Sequence, residues 1–253
     1  MTTVRGNPKG VVITGGGTGI GRAAARAFAG AGAEVLIVGR TRSTLAETAE
    51  GHPGIDILAT DLNAAEAPNQ IVSAAVDRFG RIDVLVNNAV SVRPGALGGI
   101  DRREAAADLA TNLYAPIMLT RRALAPLEAG RGVVVNVGTY GVLGIRAWPF
   151  MSVYGAGKTA VDFLTRTWAV ELAPRGIRVV GVSPGVTDTG IGLRMGATQE
   201  ENAHRLEQRR QRVPVRRLAT PAEMAWWITR LVEPDSKYAT GTVLAVDGGA
   251  SLV

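Results

Sequence analysis

Two of the four tyrosines, Tyr140 and Tyr154, lie in one short glycine-containing stretch, and the second precedes Lys158 by four residues. On a helix, this spacing places Tyr154 and Lys158 on one face, within reach of each other. A phenol with a pKa of about 10 is a weak acid near neutral pH, and a nearby ammonium lowers that pKa by stabilising the phenolate. The pair therefore indicates proton transfer, although the spacing alone is more often that of an ordinary helix-surface pair.

The composition argues against other catalytic groups. The chain contains no cysteine, which excludes disulfides, thiol nucleophiles and cysteine-ligated zinc. Its two histidines, His52 in a turn-like stretch and His204 in a charged segment, suit solvated surface positions. We therefore expect neither a histidine-based triad nor a metal site.

The net charge of +6 raises the question of a nucleic-acid partner. The arginines are scattered, no nucleic-acid motif accompanies them, and only 5% of residues are aromatic. An anionic cofactor or substrate explains the charge better, so we expect no nucleic-acid partner. No run of about 18 apolar residues occurs and the first ten residues carry no hydrophobic segment, so we expect no membrane association and a cytoplasmic protein.

Short apolar runs rich in β-branched residues alternate with alanine-rich stretches, which predicts βαβ units. The apolar runs are continuous rather than alternating, as in a parallel sheet covered on both faces. We predict a single α/β domain over residues 1–253, with a Rossmann-like, doubly wound parallel sheet of about seven strands. The predicted strands are 11–14, 35–38, 55–59, 84–87, 133–137, 178–182 and 242–246, and the predicted helices include 19–30, 64–79, 101–127, 152–172 and 221–232.

A glycine-rich segment, TGGGTGIG at 14–21, follows the first predicted strand. Gly15, Gly19 and Gly21 allow a tight turn, close approach of a pyrophosphate and close helix–strand packing. The helix that begins near Gly19 offers free N–H groups and the positive end of its dipole to phosphates. A structural turn has a similar composition, but the position between a strand and a helix favours dinucleotide binding.

The second predicted strand ends in VLIVGRTR, residues 35–42. Folds that bind NAD usually place an acidic residue here, which accepts a hydrogen bond from the ribose 2′-hydroxyl. This chain has Gly39 instead, followed by Arg40, Thr41 and Arg42. A guanidinium without a carboxylate suits a 2′-phosphate, so we predict NADP(H) as the cofactor. The alternative is that Arg40 is an ordinary arginine of a solvated loop.

Seven motifs occur in the order and approximate spacing of the short-chain dehydrogenase/reductase family, which the chain resembles over nearly its whole length. They are TGGGTGIG at 14–21, DL at 61–62, NNA at 87–89, TNLYA at 111–115, YGAGK at 154–158, SPGVTDT at 183–189 and VDGG at 246–249. The resemblance implies hydride transfer between a nicotinamide cofactor and a carbonyl or alcohol carbon.

The resemblance also implies a catalytic set of Asn112, Thr139, Tyr154 and Lys158. Tyr154 is then the proton donor or acceptor, and the Thr139 hydroxyl orients the substrate carbonyl. Lys158 tunes the phenol and binds the nicotinamide ribose, and Asn112 anchors a water relay behind the lysine. No histidine is needed for this chemistry.

Further residues are implied in cofactor binding by the same resemblance. Asp61 and Leu62 correspond to the pair that flanks the adenine, and Asn88 to an asparagine near the adenine ribose. Thr187 and Thr189 lie in the segment that closes over the nicotinamide. The full set is Gly15, Thr18, Gly19, Ile20, Gly21, Arg40, Thr41, Arg42, Asp61, Leu62, Asn88, Tyr154, Lys158, Pro184, Gly185, Thr187 and Thr189.

Three features depart from the family pattern. Thr139 stands where serine is usual, fourteen residues rather than the commonest twelve separate it from Tyr154, and Val90 replaces the customary glycine after NNA. The extra length falls within residues 144–152, so we expect a reshaped loop over the substrate. Substrate contacts are predicted for Tyr140, Trp148, Phe150 and Met151. For Tyr140, packing without substrate contact is an equal alternative.

The segment 192–218 carries the densest basic cluster and resembles the family's mobile substrate lid, at about 190–215. One interpretation is recognition of an acidic group, such as a carboxylate or a phosphopantetheine arm on an acidic carrier protein. The other is a solvated amphipathic helix with interleaved glutamates.

The leading prediction is an NADP(H)-dependent carbonyl reductase or alcohol dehydrogenase, and a 3-oxoacyl thioester or polyketide-like carbonyl is among its candidate substrates. The alternative is a non-catalytic NADP-binding sensor or scaffold that kept the fold and lost the reaction. By the family resemblance we also expect a homotetramer or homodimer, with Ala160, Leu164, Thr167 and Glu171 forming a stripe on one helix.

Overall fold

The computed structural model describes residues 9–144 and 147–253. Within these residues, seven parallel strands form one sheet in the order β3-β2-β1-β4-β5-β6-β7. The order reverses direction beside β1, which places a crevice at the carboxyl ends of β1 and β4. The strands are β1 (Gly10–Thr14), β2 (Glu34–Gly39), β3 (Ile55–Ala59), β4 (Val84–Asn87), β5 (Val133–Val137), β6 (Arg178–Pro184) and β7 (Val243–Val246).

The helices follow the strands in alternation. They are α1 (Gly19–Gly30), α2 (Arg42–Ala49), α3 (Ala67–Phe79), α4 (Arg102–Leu109), α5 (Ala115–Ala129), α6 (Ser152–Leu172), α7 (Ile191–Arg194), α8 (Gln199–Arg212) and α9 (Pro221–Leu231). None of the helices in the described part of the chain is both long enough and apolar enough to cross a membrane.

Two apolar cores hold the helices against the sheet. On one face, α1 and α9 pack through residues such as Phe28 and Ile228 against alternate strand positions. On the other face, α3, α5 and α6 pack through residues such as Ile71 and Leu119. Because both faces are covered, the central strands are mainly apolar, and all five residues of β5 are buried, including Asn136.

The predicted fold class is confirmed, and each of the seven predicted strands is present within two residues of its expected bounds. The helix predicted over residues 101–127 is present as an unbroken helical run over 102–129, and a π-helical turn at Ala110–Tyr114, which was not predicted, divides it into α4 and α5. The predicted helices did not include α2, whose sequence RSTLAETA has a weak apolar face. Residues 1–8, where the absence of a leader was expected, and residues 145 and 146 of the long loop lie outside the described residues.

Candidate active site

The glycine loop connects β1 to α1 at the carboxyl edge of the sheet. Gly15 has a φ of 66°, a conformation that side-chain-bearing residues rarely adopt. A Cβ on Gly21 would lie 2.2 Å from the Gly15 carbonyl oxygen, so only glycine allows α1 to pack this closely on the loop. The predicted roles of these two glycines in a tight turn and in close packing agree with this geometry.

Polar bonds brace the same loop against β4. The Thr14 hydroxyl accepts hydrogen bonds from the backbone N–H groups of Asn88 (3.0 Å) and Ala89 (3.1 Å). The Asn88 side-chain amide donates to the carbonyl oxygens of Thr14 (2.9 Å) and Gly15 (3.2 Å). Asn88 therefore positions the glycine loop. Thr14 lies in the glycine motif, but the sequence analysis did not select it as a site residue.

A groove of about 800 Å³ runs along this edge of the sheet. It is long and open, and its walls come from the ends of β1, β2, β3 and β4 and from the segment after β6. Ten of the predicted cofactor residues line it: Gly15, Thr18, Gly19, Ile20, Arg40, Thr41, Asp61, Leu62, Asn88 and Thr189.

The remaining predicted cofactor residues lie outside the lining of this groove. Gly185 instead lines a second cavity of about 260 Å³ beside Trp226 and Trp227. Thr187 forms an isolated parallel bridge with Ala219. Arg42 is exposed at the first residue of α2, and Pro184 is the last residue of β6.

Three arginines line the groove, Arg40, Arg93 and Arg194, and Arg93 is paired with Asp108. Arg40 is exposed after β2, and none of the ion pairs within the described ranges involves it. Arg194, at the end of α7, also lines the groove, and burial together with the charge of Arg22 lowers its pKa. The guanidinium groups of Arg194 and Arg22 repel each other beside the glycine loop. This concentration of positive charge favours an anionic ligand. Nothing in the spacing of Arg194 had indicated this position.

Tyr154, the predicted proton donor, lies near the carboxyl end of β5 and is not among the residues that line this groove. Thr139 follows β5 and is 7% exposed, and its hydroxyl lies close enough to the Tyr154 phenol to lower the pKa of that phenol. Burial outweighs this effect and raises the pKa of Tyr154 to about 12, and the neighbouring Tyr140 raises it further. The phenol is therefore protonated at neutral pH.

Lys158 lies four residues further along α6 and is 3% exposed. Its ammonium donates a hydrogen bond to the Val137 carbonyl oxygen at 2.7 Å. Burial lowers the pKa of Lys158 to about 8, partly opposed by the Asp162 carboxylate. The Lys158 ammonium is bound to β5 and is not among the groups that shift the pKa of Tyr154 here, so the predicted tuning of the phenol by Lys158 stays a prediction.

Asn112 lies in the π-helical turn between α4 and α5 and is buried. Its side-chain amide donates to the Ser91 carbonyl oxygen at 2.6 Å, and its side-chain oxygen accepts from the Ser91 N–H at 3.0 Å. The Ser91 hydroxyl in turn donates to the buried Asp108 carboxylate, which also pairs with Arg93. Asn112 thus fixes the loop after β4, and its predicted role in a water relay stays a prediction.

The predicted substrate residues divide into two groups. The Trp148 ring makes an edge contact with Tyr154, with centroids 5.6 Å apart, and a tilted contact with Tyr140 at 6.1 Å. Phe150 is 62% exposed and has a φ of 67°. Met151 precedes α6 and donates its N–H to the Trp148 carbonyl oxygen at 3.2 Å. The structure therefore brings Tyr140 and Trp148, but not the Phe150 ring, against the phenol.

The basic segment after β6 forms α7 and α8, joined by a short turn. No residue of α8 is buried, and the helix begins with a capping box between Thr198 and Glu201. Arg210 pairs with Glu207, whereas the other arginines of α8 are exposed. The alternative reading of this segment as a solvated charged helix describes its structure well.

Comparison with known proteins places these features in a family. A family model described as enoyl-(acyl carrier protein) reductase matches residues 15–251. The 3-oxoacyl-[acyl-carrier-protein] reductase FabG of Thermotoga maritima is 35% identical, over 94% of this chain and 96% of the relative.

Solved structures of the same family resemble this chain over nearly its whole length. A Caenorhabditis elegans short-chain dehydrogenase/reductase of unknown function, solved with cofactor, superposes with a TM-score of 0.92 at 34% identity, covering 97% of this chain and 96% of that one. A 3-ketoacyl-(acyl-carrier-protein) reductase of Brucella melitensis complexed with NADH gives a TM-score of 0.87 at 29% identity, covering 96% and 98%.

Proposed function

The chain belongs to the short-chain dehydrogenase/reductase family and is an oxidoreductase that uses a nicotinamide cofactor, and we propose that it reduces a ketone with NADPH, or oxidises the corresponding secondary alcohol, with Tyr154 as proton donor or acceptor. The observation that carries this proposal is the protonated Tyr154 phenol beside the buried Thr139 hydroxyl and the Trp148 ring, at the carboxyl end of β5.

The chemistry of reduction divides between cofactor and protein. NADPH supplies the hydride that reaches the carbonyl carbon, and the ketone, NADPH and one proton become the alcohol and NADP⁺. Tyr154 donates the proton to the carbonyl oxygen, and its raised pKa keeps it in the donor form at neutral pH. The Thr139 hydroxyl orients that oxygen and steadies the charge that develops on it.

The donor set of the groove fits a dinucleotide. The glycine loop presents the N-terminus of α1, where free N–H groups bind phosphate. Leu62 and Asp61 line the groove near β3, and Arg40 follows β2, where its guanidinium is free of ion pairs with described acids. Because Gly39 provides no carboxylate for a ribose 2′-hydroxyl, we propose NADP(H) rather than NAD(H). The Brucella relative was solved with NADH, so the ratio of turnover with NADPH to turnover with NADH tests this preference.

Lys158 and Asn112 support the phenol in this scheme. Lys158 is a buried cation on the same face of α6, and it binds the nicotinamide ribose. Asn112 holds the loop after β4 through its two bonds to Ser91, which keeps the wall of the groove in place. We propose that its turn also anchors a water relay to Lys158.

For the substrate, we propose a moderately apolar carbonyl compound, with 3-oxoacyl thioesters among the first candidates. Trp148 and Tyr140 provide an apolar wall beside the Tyr154 phenol. The FabG relative is named as a 3-oxoacyl-[acyl-carrier-protein] reductase, which supports a 3-oxoacyl thioester as a candidate. We assign the lid role to residues 190–215 within a single domain of residues 1–253, because α8 is entirely at the surface.

We also propose a homo-oligomer, a tetramer or a dimer. Large apolar side chains lie on the outer faces of α5 and α6, where Met118 is 41%, Phe163 64% and Val170 77% exposed. A separate exposed pair, Trp226 and Trp227, lies on α9, on the other face of the sheet. Apolar faces of this kind are commonly covered by another chain, and a monomer by light scattering contradicts the proposal.

The test of the function is NADPH oxidation with a panel of ketones, quinones and 3-oxoacyl thioesters, followed at 340 nm. Turnover of at least one carbonyl is expected, with NADPH preferred over NADH. Tight NADPH binding without turnover of any carbonyl would instead favour the sensor or scaffold.

A further inference from the structure

Asp162 continues the face of α6 that carries the proposed catalytic residues. Tyr154, Lys158 and Asp162 follow one another at intervals of four residues, so their side chains lie in one row along the helix. The row leads inward: Lys158 is 3% and Asp162 6% exposed. Carboxylates are almost never this buried unless they are paired with a charge or with hydrogen-bond donors.

The surroundings of Asp162 are shaped to admit its carboxylate. A Cβ on Gly138, the residue that follows β5, would lie 2.8 Å from an Asp162 carboxylate oxygen and 2.6 Å from the Ser183 hydroxyl oxygen of β6. Any larger residue at position 138 would push both groups away. The Ser183 hydroxyl is fully buried and has no hydrogen-bond partner among the described residues.

The charges around this spot come from few groups. From α6 itself, Lys158, Arg166 and Tyr154 face the row. The elements packed against α6 contribute the Val137 carbonyl of β5, the Ser183 hydroxyl of β6, Asn112, whose Cβ lies near Gly157, and the buried Asp108 carboxylate of α4, which is paired with Arg93. Tyr140 adds a second phenol beside Tyr154.

Lys158 and Asp162 act on each other. Burial raises the pKa of Asp162 to about 6, while Arg166 and Lys158 lower it. Burial lowers the pKa of Lys158 to about 8, and within the described residues Asp162 is the charge that raises it. Carboxylate and ammonium therefore coexist only between about pH 6 and about pH 8.

We propose that Asp162 is a positioning residue whose carboxylate is the buried counter-charge that keeps Lys158 cationic and in place for its work with Tyr154. The inference rests on the proposed function for its consequence in catalysis, although the electrostatic interaction between Asp162 and Lys158 does not. Because Lys158 lies between Tyr154 and Asp162 in the row, we expect loss of the Asp162 carboxylate to affect Tyr154 only through Lys158.

The direct test is an NMR titration of the lysine side chains. The chain contains only three lysines, Lys9, Lys158 and Lys237, so ¹³Cε labelling gives few signals, and Lys158→Arg identifies the relevant one. In Asp162→Asn, we expect the Lys158 midpoint to fall by at least about 0.5 pH unit, because the charge that stabilised the ammonium is gone. An unchanged midpoint overturns the proposal.

The unaltered protein gives a second, independent readout. Because Asp162 titrates near pH 6, the Lys158 signal is expected to show an additional inflection there, as coupled groups do. Its absence contradicts the proposal even where Asp162→Asn does not fold. The control is Asp83→Asn, which alters a buried carboxylate at the amino end of the sheet, where it accepts from the Gly10 N–H.

The consequence for catalysis is a moved pH profile. Once a carbonyl substrate is known, the alkaline limb of kcat/KM for Asp162→Asn is expected at lower pH than in the unaltered protein, with Asp83→Asn unmoved. A uniform loss of activity with an unmoved limb shows a structural role only and overturns the proposal. Failure of the unaltered protein to turn over any carbonyl refutes the proposed function instead, and the NMR titration still decides the role of Asp162.

Discussion

The glycine loop and the described residues of the second loop, 139–144 and 147–151, both adjoin the proposed site, yet they are held by different interactions. Around the glycine loop, Thr14 and Asn88 exchange hydrogen bonds with neighbouring backbone, and Gly21 packs with no room for a Cβ. In the second loop, Trp148 rests on aromatic rings, and Phe150 is exposed with a positive φ.

The difference separates what the two regions specify. Close backbone packing with satisfied polar groups holds the glycine loop in one conformation, which suits a cofactor shared by many enzymes. In the second loop, a single substitution changes the ring contacts and the exposed side chains. Such a loop suits the wall of a pocket that selects one substrate. Substitutions in the two regions are therefore expected to change different measured quantities.

The largest effect in the substrate-facing loop is expected at Thr139. Thr139→Val keeps the shape of the side chain but removes the hydroxyl beside the Tyr154 phenol, so kcat should fall by roughly 10²- to 10³-fold. Steady-state kinetics measure this, and the affinity for NADPH should not change. Thr139→Ser is the matched control and should stay active. Equal loss in both variants would indicate a packing role for the threonine methyl group.

In the cofactor-facing region, Arg40→Asp is expected to reverse the cofactor preference. Exchange of a guanidinium for a carboxylate removes a charge-assisted bond to the 2′-phosphate and adds an acceptor for a 2′-hydroxyl. The ratio of kcat/KM for NADPH to that for NADH should therefore fall by about 100-fold. Arg102→Asp, which changes an exposed arginine outside the groove lining, serves as the control. An unchanged ratio for Arg40→Asp sinks the assignment of Arg40.

A smaller effect on stability is expected at Gly21. Gly21→Ala places a methyl group against the Gly15 carbonyl oxygen, and such overpacking costs about 1–3 kcal/mol. Chemical denaturation should show this loss, accompanied by weaker NADPH binding. Gly30→Ala, at the end of the same helix, meets no atom within 4 Å and should be neutral or stabilising by up to about 1 kcal/mol. Similar behaviour of the two variants would show that the loop relaxes easily.

The smallest effect is expected at Trp148. Trp148→Ala removes the ring contacts to Tyr140 and Tyr154, which are worth about 0.5–1.5 kcal/mol, so KM for an apolar ketone should change by about 3- to 10-fold. The dissociation constant of NADPH, from fluorescence titration, should stay the same. The exposed Phe150→Ala is the control. A change in NADPH affinity would remove the distinction between the two regions.

The same contrast explains how far the sequence could be read. Runs rich in β-branched apolar residues, such as residues 133–137, indicate strands covered on both faces, so the sheet was predictable. The spacing of Tyr154 and Lys158 placed them on one helix face. The direction of the Lys158 ammonium was not predictable, because it depends on the Val137 carbonyl of another element.

Other failures have the same origin. The π-helical turn at Ala110–Tyr114 depends on how Asn112 bonds to Ser91 across the chain, and no local pattern reports such a bond. The contact of Trp148 with Tyr154 likewise arises from a loop whose length departs from the family pattern. The helices and strands could be predicted from local propensities and patterns, whereas the tertiary contacts of single side chains could not.

The central claim is that Tyr154 gives the proton in an NADPH-dependent carbonyl reduction. Its most direct test compares Tyr154→Phe with the unaltered protein in turnover of a carbonyl found in the panel and in NADPH binding by fluorescence. We predict a loss of kcat of at least about 10³-fold with NADPH affinity within about threefold. Turnover by Tyr154→Phe within about tenfold of the unaltered protein would contradict the claim.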